Sequence, residues 1–363
     1  MSVLTTNYLT PTGREEAWRF TPLKRLAGMH DGTCTVNNRK SLALSGVAPA
    51  GVRVSRISRE LIAPASHSDD VIVARVHAES EDVFVVDIAP NTEVSEVIHL
   101  NRSFSGLDGA ELSRVQISIG AHSQATIIVE NSVSAILAED VEILLAPGSN
   151  LTFITLQEWG EESVHAARHH AIIDRDATFK SITVTVGGSL VRILPTVEFA
   201  APGASANLSG VYFATAGQHL EHRIHIEHGV PKAKSRVNFK GALAGDKAHT
   251  VWIGDVFIGA AAEGTDTYEL NRNLLLSDGA RADSVPNLEI ETGEIVGAGH
   301  ASTTGRFDDE QLFYLMSRGI PMDEARRLVV RGFFSDVISQ IHDEMIEERL
   351  MTRIDGELAK AGH

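Results

Sequence analysis

The sequence predicts a mainly β protein with helical segments at both ends, and three observations support that prediction. From Val71 to about residue 292 the chain consists of short apolar runs, many alternating with polar residues as half-buried strands do. We find no convincing helical pattern between these runs, which argues against alternating β and α units. Turns of small residues recur at Gly120, Gly148, Asp176 and Gly203, a spacing of roughly 27 residues.

Two architectures fit these runs. The repeat suits a parallel β-helix in which each coil contributes three short strands. The other architecture is a β-sandwich closed by ordinary hairpins. The candidate strands are VIVARV, DVFVVDIA, EVIHL, RVQISI, ATIIVE, VEILL, LTFITL, KSITVTV, VYFAT and VWIGDVFI.

Composition excludes several classes of function. The 363 residues carry a formal net charge of −16 from acids spread along the chain, so no basic face is available for nucleic acid or anionic membrane. No apolar run reaches the length of a membrane span, and the N-terminus lacks the pattern of an export signal. The single thiol, Cys34, excludes an intrachain disulfide and has no neighbours suited to a metal. We expect a cytoplasmic protein.

The N-terminal segment is expected to dock on the β-body. Glu15 to Phe20 fits a short helix, and Trp18 with Phe20 supplies the aromatic rings that anchor such segments.

Histidines recur every three residues at His219, His222, His225 and His228. On a strand only the first with the third, and the second with the fourth, share a face, so we favour packing over a metal site. A second group contains His165, His169 and His170.

The stretch from residue 265 to 321 changes from strand patterns to helix patterns. The apolar runs Leu274–Leu276 and Leu288–Ile290 flank a turn at Ser277–Ala280, which predicts strand, turn and strand. A segment of small residues follows, with His300 in its middle. This histidine is therefore expected where the β-body ends.

The C-terminal part predicts helices. Asp308 with Gln311 forms a capping box, and Gly319 and Pro321 are stop signals. Beyond them an apolar stripe at helical spacing is expected to pack partly on the end of the β-body. The stripe is more apolar than one buried face needs, which leaves a face for a partner. The residues that we assign to that face are Leu328, Val329, Phe333 and Phe334.

Two distant stretches resemble the SufB/SufD family of iron–sulfur cluster assembly proteins, and the SufD branch in particular. The first is GREEAWRFT, at residues 13 to 21. The second runs over more than fifty residues, and its matching segments are Asn271–Ser277, Pro286–Ile290, Gly299–Thr303, Asp309–Tyr314 and Arg318–Ile320.

The resemblance implies a right-handed parallel β-helix core flanked by N-terminal and C-terminal helical segments. It divides the chain into a docking segment (1–68), the β-helix core (69–306) and a helical domain (307–363). It also implies a non-catalytic, SufD-like scaffold subunit that works with a SufB-type subunit and a SufC-type ABC ATPase. The helical domain would grip the ATPase. ATP hydrolysis is expected in that partner, because this chain has no G-x-x-x-x-G-K-[ST] loop.

The chemistry implied by the resemblance centres on His300. The SufB branch has a cysteine in the loop after the Leu-Leu-Leu run and a His-Glu pair further on, whereas this chain has Ser277–Ala280 and His300-Ala301. Thiolates hold most iron–sulfur clusters, and histidine contributes single ligands to some. We therefore expect no cofactor bound by the chain alone, but a transient iron–sulfur cluster shared with a partner. His300 is the candidate metal ligand, or a proton-handling group, beside the partner's cysteine.

The last strands before His300 are expected to pair edge-on with a SufB-type subunit or a second copy. The residues that we assign to this subunit interface are Asn273, Leu275, Pro286, Leu288 and Ile290. Two alternatives stay open. One is a SufB-like homodimeric scaffold, and the other is a β-helix carbohydrate-active enzyme, which needs paired carboxylates and an aromatic-lined cleft.

Overall fold

The computed structural model describes residues 9–103, 105–307 and 309–361, and these form a β-solenoid of about 8 turns with helices at the C-terminus. The described strands belong to two sheets. In chain order, β1 to β19 span Val36–Asn37, Leu42–Leu44, Val52–Ser58, Asp82–Ile88, Ile98–Arg102, Gly106–Ile119, Gln124–Asn131, Ala135–Leu145, Asn150–Gln157, Val164–Ile173, Thr178–Val186, Leu190–Phe199, Ser205–Ala214, His219–His228, Lys234–Leu243, His249–Ile258, Asp266–Leu275, Arg281–Ile290 and Gly297–Arg306.

Each coil gives one strand to each sheet. Sheet A contains the even-numbered strands from β4 to β18, with β3 at its far edge and β1 beside β6. Sheet B contains the odd-numbered strands from β5 to β19, with β2 at its far edge. Successive strands in both sheets are parallel from β4 and β5 onward, which confirms the β-helix and excludes the sandwich.

The coil length confirms the predicted repeat but not the predicted number of strands. Val164 lies beside Ile136 on one side and Leu190 on the other, so successive coils here advance by about 28 and 26 residues. Two strands, not three, fill each coil, because each strand is longer than the sequence runs suggest. Tight turns use left-handed backbone at positions such as Gly148 and Asp176, with φ of 67° and 55°.

The first predicted strand, VIVARV, is instead a helix. The helices α1 to α4 span Val71–Glu79, Asp309–Ser317, Met322–Ile338 and Glu344–Ala361. Asp70 caps α1, because its carboxylate accepts hydrogen bonds from the backbone N–H groups of Ile72 (3.0 Å) and Val73 (3.3 Å). A short apolar run buried on most sides does not distinguish helix from strand by its periodicity.

The outer face of sheet A is covered by the N-terminal segment and α1. A short 3-10 turn forms at Glu16–Trp18, within the stretch from Glu15 to Phe20 where a short helix was predicted, and a second forms at Leu23–Arg25. The buried Trp18 ring lies under the guanidinium of Arg192, 4.1 Å from the ring centroid, which confirms its docking role. Apolar side chains of α1 pack on the same face.

Buried charges fasten this N-terminal segment to sheet A. The Thr21 hydroxyl donates to both oxygens of the Glu221 carboxylate (3.0 and 2.9 Å). Burial opposes ionisation of Glu221, but a hydrogen bond from His219 and the charge of Arg192 outweigh it and lower its pKa to about 2.

The outer face of sheet B is covered by α3 and α4. Buried side chains of both helices, including Phe334 and Leu350, pack on outward-facing apolar residues of β9, β11 and β13. The helices therefore lie along the face of the solenoid, whereas the sequence placed them at its end. A separate apolar core fills the space between the sheets. None of the helices in the described ranges is long and apolar enough to cross a membrane.

The two ends of the solenoid differ. At the first end β2 and β3 close the sheets by antiparallel pairing with β5 and β4, so residues before the predicted boundary at 68 already belong to the sheets. At the other end β18 and β19 are the last strands of sheets A and B among the described residues. The division into three domains stays a prediction.

Candidate functional site

His300 lies in the middle of β19, on the final coil. Its strand pairs in parallel with β17, and His300 stands opposite Glu269. On β17 the buried residues Thr267, Glu269 and Asn271 alternate with less buried ones, so these three face the solenoid interior. Because directly paired residues of neighbouring strands share a face, His300 also faces inward. It is nevertheless exposed, because no further coil of the described chain covers it.

His300 is therefore a residue of the last strand, several residues before the helix that follows. The predicted cap of that helix, Asp308, lies outside the described residues. Among the described residues, His300 belongs to no group of three side chains that could hold a metal ion together. A metal at this position would need a ligand from another molecule or a smaller donor set.

A network of hydrogen bonds runs through the interior toward the open end. The Tyr212 hydroxyl donates to Oδ1 of Asn273 (2.7 Å) and accepts from Nδ2 of Asn271 (2.9 Å). Oδ1 of Asn271 accepts a hydrogen bond from Ser284 Oγ (2.7 Å), which itself accepts one from Ser302 Oγ (2.7 Å). The Ser302 hydroxyl, two residues after His300 on the same strand, is thus a donor to this network.

Glu269 is a buried carboxyl group without a partner. It is 1% exposed, and neither carboxylate oxygen has a hydrogen-bond partner among the described residues. Burial, together with the negative charge of Asp255, raises the pKa of Glu269 to about 8. Gly254 on the facing strand β16 makes room for the group, because a Cβ there would lie 2.6 Å from Oε1.

The residues assigned to the subunit interface have different positions. Asn273 is buried in the interior network, so its side chain cannot form a surface contact in this chain. Leu275 and Leu288 are half-buried and pack on the interior core near the open end. Pro286 is half-buried on β18, and Ile290 is 44% exposed at the end of that strand. Four of the five therefore line or border the final coil.

The turn predicted at Ser277–Ala280 lies between β17 and β18 and has no thiol. Cys34 lies in the N-terminal segment, where its Sγ is 3.9 Å from Nη1 of Arg75. The only thiol of the chain is thus placed on the segment that covers sheet A.

The histidines His219, His222, His225 and His228 alternate between the two faces of strand β14, as expected for a spacing of three residues. His222 and His228 are buried and face the interior, whereas His225 is exposed. Inward-facing residues six positions apart on a strand are about 20 Å apart, too far to share a metal ion. The Nε2 atom of His222 is 2.9 Å from the Thr185 hydroxyl, and its ring stacks on Tyr212. Packing therefore explains this pair.

Within the described part of the chain, one cluster of three side chains has the composition of a metal site. His77, Asp140 and Glu142 lie together beneath α1. Their carboxylates are already neutralised, since Asp140 pairs with Arg168 (2.7 Å) and Glu142 with Arg114 (2.9 Å). A cation would have to displace two buried guanidinium groups, so this cluster is structural.

Comparison with known proteins decides the family. Residues 103–333 match the sequence model described as SUF system FeS cluster assembly, SufBD core domain, which covers more than half of the chain. This chain belongs to the SufBD family. It is an iron–sulfur cluster assembly protein of the SUF system, in which subunits act with partners.

Relatives extend the similarity of this SufBD protein to nearly its whole length. A SufBD family protein of Mycobacterium leprae is 43% identical over 356 residues, covering 96% of this chain and 90% of the relative. One of Mycobacterium tuberculosis H37Rv is 44% identical over 354 residues, covering 96% and 89%. The similarity to SufD of Escherichia coli K12 is more distant, at 24% identity over 375 residues, 95% of this chain and 88% of the relative.

The helices of this SufBD protein do not present all the residues assigned to ATPase docking. Phe334 is fully buried against sheet B and therefore belongs to the core. Phe333 is half-buried, and the Lys240 ammonium lies 5.1 Å from its ring centroid. Val329 is half-buried, and Leu328 is 44% exposed. Helical spacing alone did not reveal which side of the stripe meets the sheet.

Apart from Leu328, the sequence patterns did not single out the exposed apolar residues of α2 and α3. We call these residues together the α2–α3 apolar surface: Phe313, Tyr314, Met316, Met322 and Leu328. Phe313 is 74% exposed, which is unusual for a phenylalanine and is typical of residues that bind a partner. The signal lay in the Leu-Phe-Tyr-Leu-Met run of α2, which has more large apolar residues than a single buried stripe uses.

Proposed function

We propose that this chain is a SufD-like, non-catalytic scaffold subunit that contributes His300 to a cluster-assembly site shared with a SufB-type partner. The observation that carries this proposal is the place of His300, which faces inward but is exposed on the final coil of the solenoid. A second chain placed against that coil would enclose the imidazole. Its thiolates would complete the set of ligands that this chain does not provide.

The partner surface in this proposal consists of the free edges of β18 and β19. Each is the last strand of its sheet, so half of its backbone N–H and C=O groups have no neighbouring strand among the described residues. Leu288 and Ile290 add apolar area beside these edges. Strand pairing gives affinity through backbone hydrogen bonds, and side chains fix the register.

The ATPase in this proposal is a SufC-type ABC subunit, and its docking site is the α2–α3 apolar surface. Leu328 stays in the docking set, while the buried Phe334 leaves it. The SufB-like homodimeric scaffold is the second candidate. It is disfavoured because the turn at Ser277–Ala280 has no thiol and Cys34 lies on another face.

His300→Ala tests the shared site. The variant should fold and assemble with both partners, because a small side chain is tolerated on an exposed coil. It should lose most transfer of clusters to an apo-ferredoxin by the reconstituted complex. His300→Cys should restore part of the transfer if the role is ligation and none if the role is proton handling. His225→Ala, on an exposed histidine of β14, is the matched control. Wild-type transfer by His300→Ala would refute the assignment.

Phe313→Asp tests the docking surface. A charge in the centre of an apolar interface should weaken binding of the SufC-type ATPase at least about tenfold in calorimetry, without lowering the melting temperature. Met345→Asp is the matched control, because Met345 is an exposed apolar residue on α4, outside the surface. Equal loss in both variants would show that the effect is not specific to the α2–α3 apolar surface.

A further inference from the structure

We infer that Glu269 is the second metal-binding group at the open end of the solenoid, where it and His300 form a carboxylate–imidazole site for a single iron(II) ion. The inference deepens the proposed function and rests on it, because it names a cargo for the same site. It assigns a role to a side chain that the sequence patterns did not single out.

The register brings the two groups together. Glu269 and His300 are directly paired on β17 and β19, and both side chains face the interior. Neighbouring strands lie about 4.8 Å apart, so a carboxylate and an imidazole stacked in this way can approach one ion. The two residues are 31 positions apart in sequence, and only the length of one coil aligns them.

The Glu269 carboxyl group lacks the contacts that ordinarily compensate for burial. Glu269 is 1% exposed, and neither of its carboxylate oxygens has a hydrogen-bond partner among the described residues. The charged side chain that acts on it is Asp255, which is itself negative. An isolated buried carboxyl group is costly unless something compensates for its desolvation. The glycine at position 254 keeps space for the group, so the niche is part of the fold.

The donors beside this pair suit iron(II). Ser302 lies two residues after His300 on the same inward face, and its proton is held by Ser284 Oγ, so its lone pairs are available as a neutral oxygen donor. Carboxylate, imidazole and hydroxyl form a mixed oxygen and nitrogen set, which suits divalent iron better than a sulfide-rich cluster. The ion would enter from the open end, where the final coil is exposed.

The test is metal binding by the full-length chain on its own. Under anaerobic conditions, iron(II) is titrated against a chromophoric chelator, with cobalt(II) absorption as a second readout. We expect one equivalent of iron(II). His300→Ala and Glu269→Gln should each weaken binding about tenfold or more, and the double variant should lose little beyond either single one. Calcium in excess should not compete.

The matched control is Glu289→Gln, which removes an exposed carboxylate on the neighbouring strand β18. Near-ultraviolet circular dichroism of each variant verifies that the fold is intact. Wild-type iron affinity in Glu269→Gln, or an equal loss in Glu289→Gln, overturns the inference. In that case a loss of cluster transfer in His300→Ala would still support the proposed function. Conversely, Glu269-dependent iron binding by a chain that never joins a SufB-type partner would support the iron site and refute the proposed function.

Discussion

His222 is a neutral imidazole in the interior of the solenoid. Burial lowers its pKa to about 3, although the nearby Glu221 carboxylate acts in the opposite direction. An unfolded chain takes up this proton near pH 6.5, so below that pH the unfolded state binds more protons and is favoured. Stability contributed by His222 is therefore present above pH 6.5 and is lost as the pH falls toward 3.

His222→Gln should flatten this pH dependence. Between pH 7 and pH 5 the free energy of unfolding of the variant should fall by about 1 to 2 kcal/mol less than that of the wild type. Urea unfolding at the two pH values measures the difference. His225→Gln, on the exposed face of the same strand, should keep the wild-type slope. An unchanged slope in His222→Gln would mean that the buried imidazole titrates like an exposed one.

Tyr212→Phe should destabilise the chain by about 1 to 3 kcal/mol. Removal of the hydroxyl leaves Oδ1 of Asn273 without its donor in a buried place, and unmade buried hydrogen bonds cost that much. Thermal and chemical unfolding measure the loss. Tyr268→Phe is the control, because Tyr268 is 43% exposed on β17 and should be neutral. Equal stability of Tyr212→Phe and the wild type would show that water replaces the hydroxyl.

The sequence could single out His300 as a candidate site residue but not Glu269. His300 stands in a motif of adjacent residues, which is visible without knowledge of the fold. Glu269 becomes part of the site only because one coil returns the chain beside it, and coil length varies along the solenoid. The inward direction of Asn273 likewise depends on the strand register, which is why it was assigned to a surface.

Among the elements, α3 and α2 show most clearly the difference between a residue that folds the chain and one that we propose binds a partner. Phe334→Ala should cost about 3 to 5 kcal/mol, because it leaves a cavity between α3 and sheet B. Phe313→Ala should change stability by less than about 0.5 kcal/mol. Denaturant unfolding of both variants measures the contrast. Equal losses would mean that α2 also belongs to the folded core.

The same packing limits what truncation can show. Removal of the chain after Gly319 would strip α3 and α4 from the apolar face that they cover on sheet B. The resulting protein would expose that face, so loss of ATPase binding would not be evidence for a docking role. Point variants on exposed residues are therefore the sharper experiment.

Several elements followed directly from sequence patterns, and others did not. The alternating runs predicted most strands, since inward and outward residues differ in polarity along them. The prediction of a strand where α1 forms was wrong. Five of the nine residues of α1 are buried, so the helix lacks the polar face that marks a surface helix. The predicted number of strands per coil was also wrong. The recurring small-residue turns indicate the length of a coil, but not how many strands lie within it.

For the molecule as a whole, hydrogen exchange should report the difference between its ends. In the isolated chain, amides of β19 should exchange faster than those of β10 to β14, which have strands on both sides. Addition of the SufB-type partner should slow exchange in β18 and β19 by about tenfold or more. Amides of β3 serve as the control and should not change. Protection at β3 instead would place the partner at the opposite end.

The unequal ends also bear on how many solenoids the proposed assembly can contain. Among the described residues, the first end has only the three-residue β2 and the charged β3, whose Arg53 and Arg56 pair with Asp87 and Asp82. Short, charged edges resist the addition of another strand. Head-to-tail growth into a filament needs two receptive ends on every chain. In the proposed function the free edges of β18 and β19 are the partner surface, so each solenoid has one receptive end. Two solenoids that pair through these edges would leave no free edge for a third.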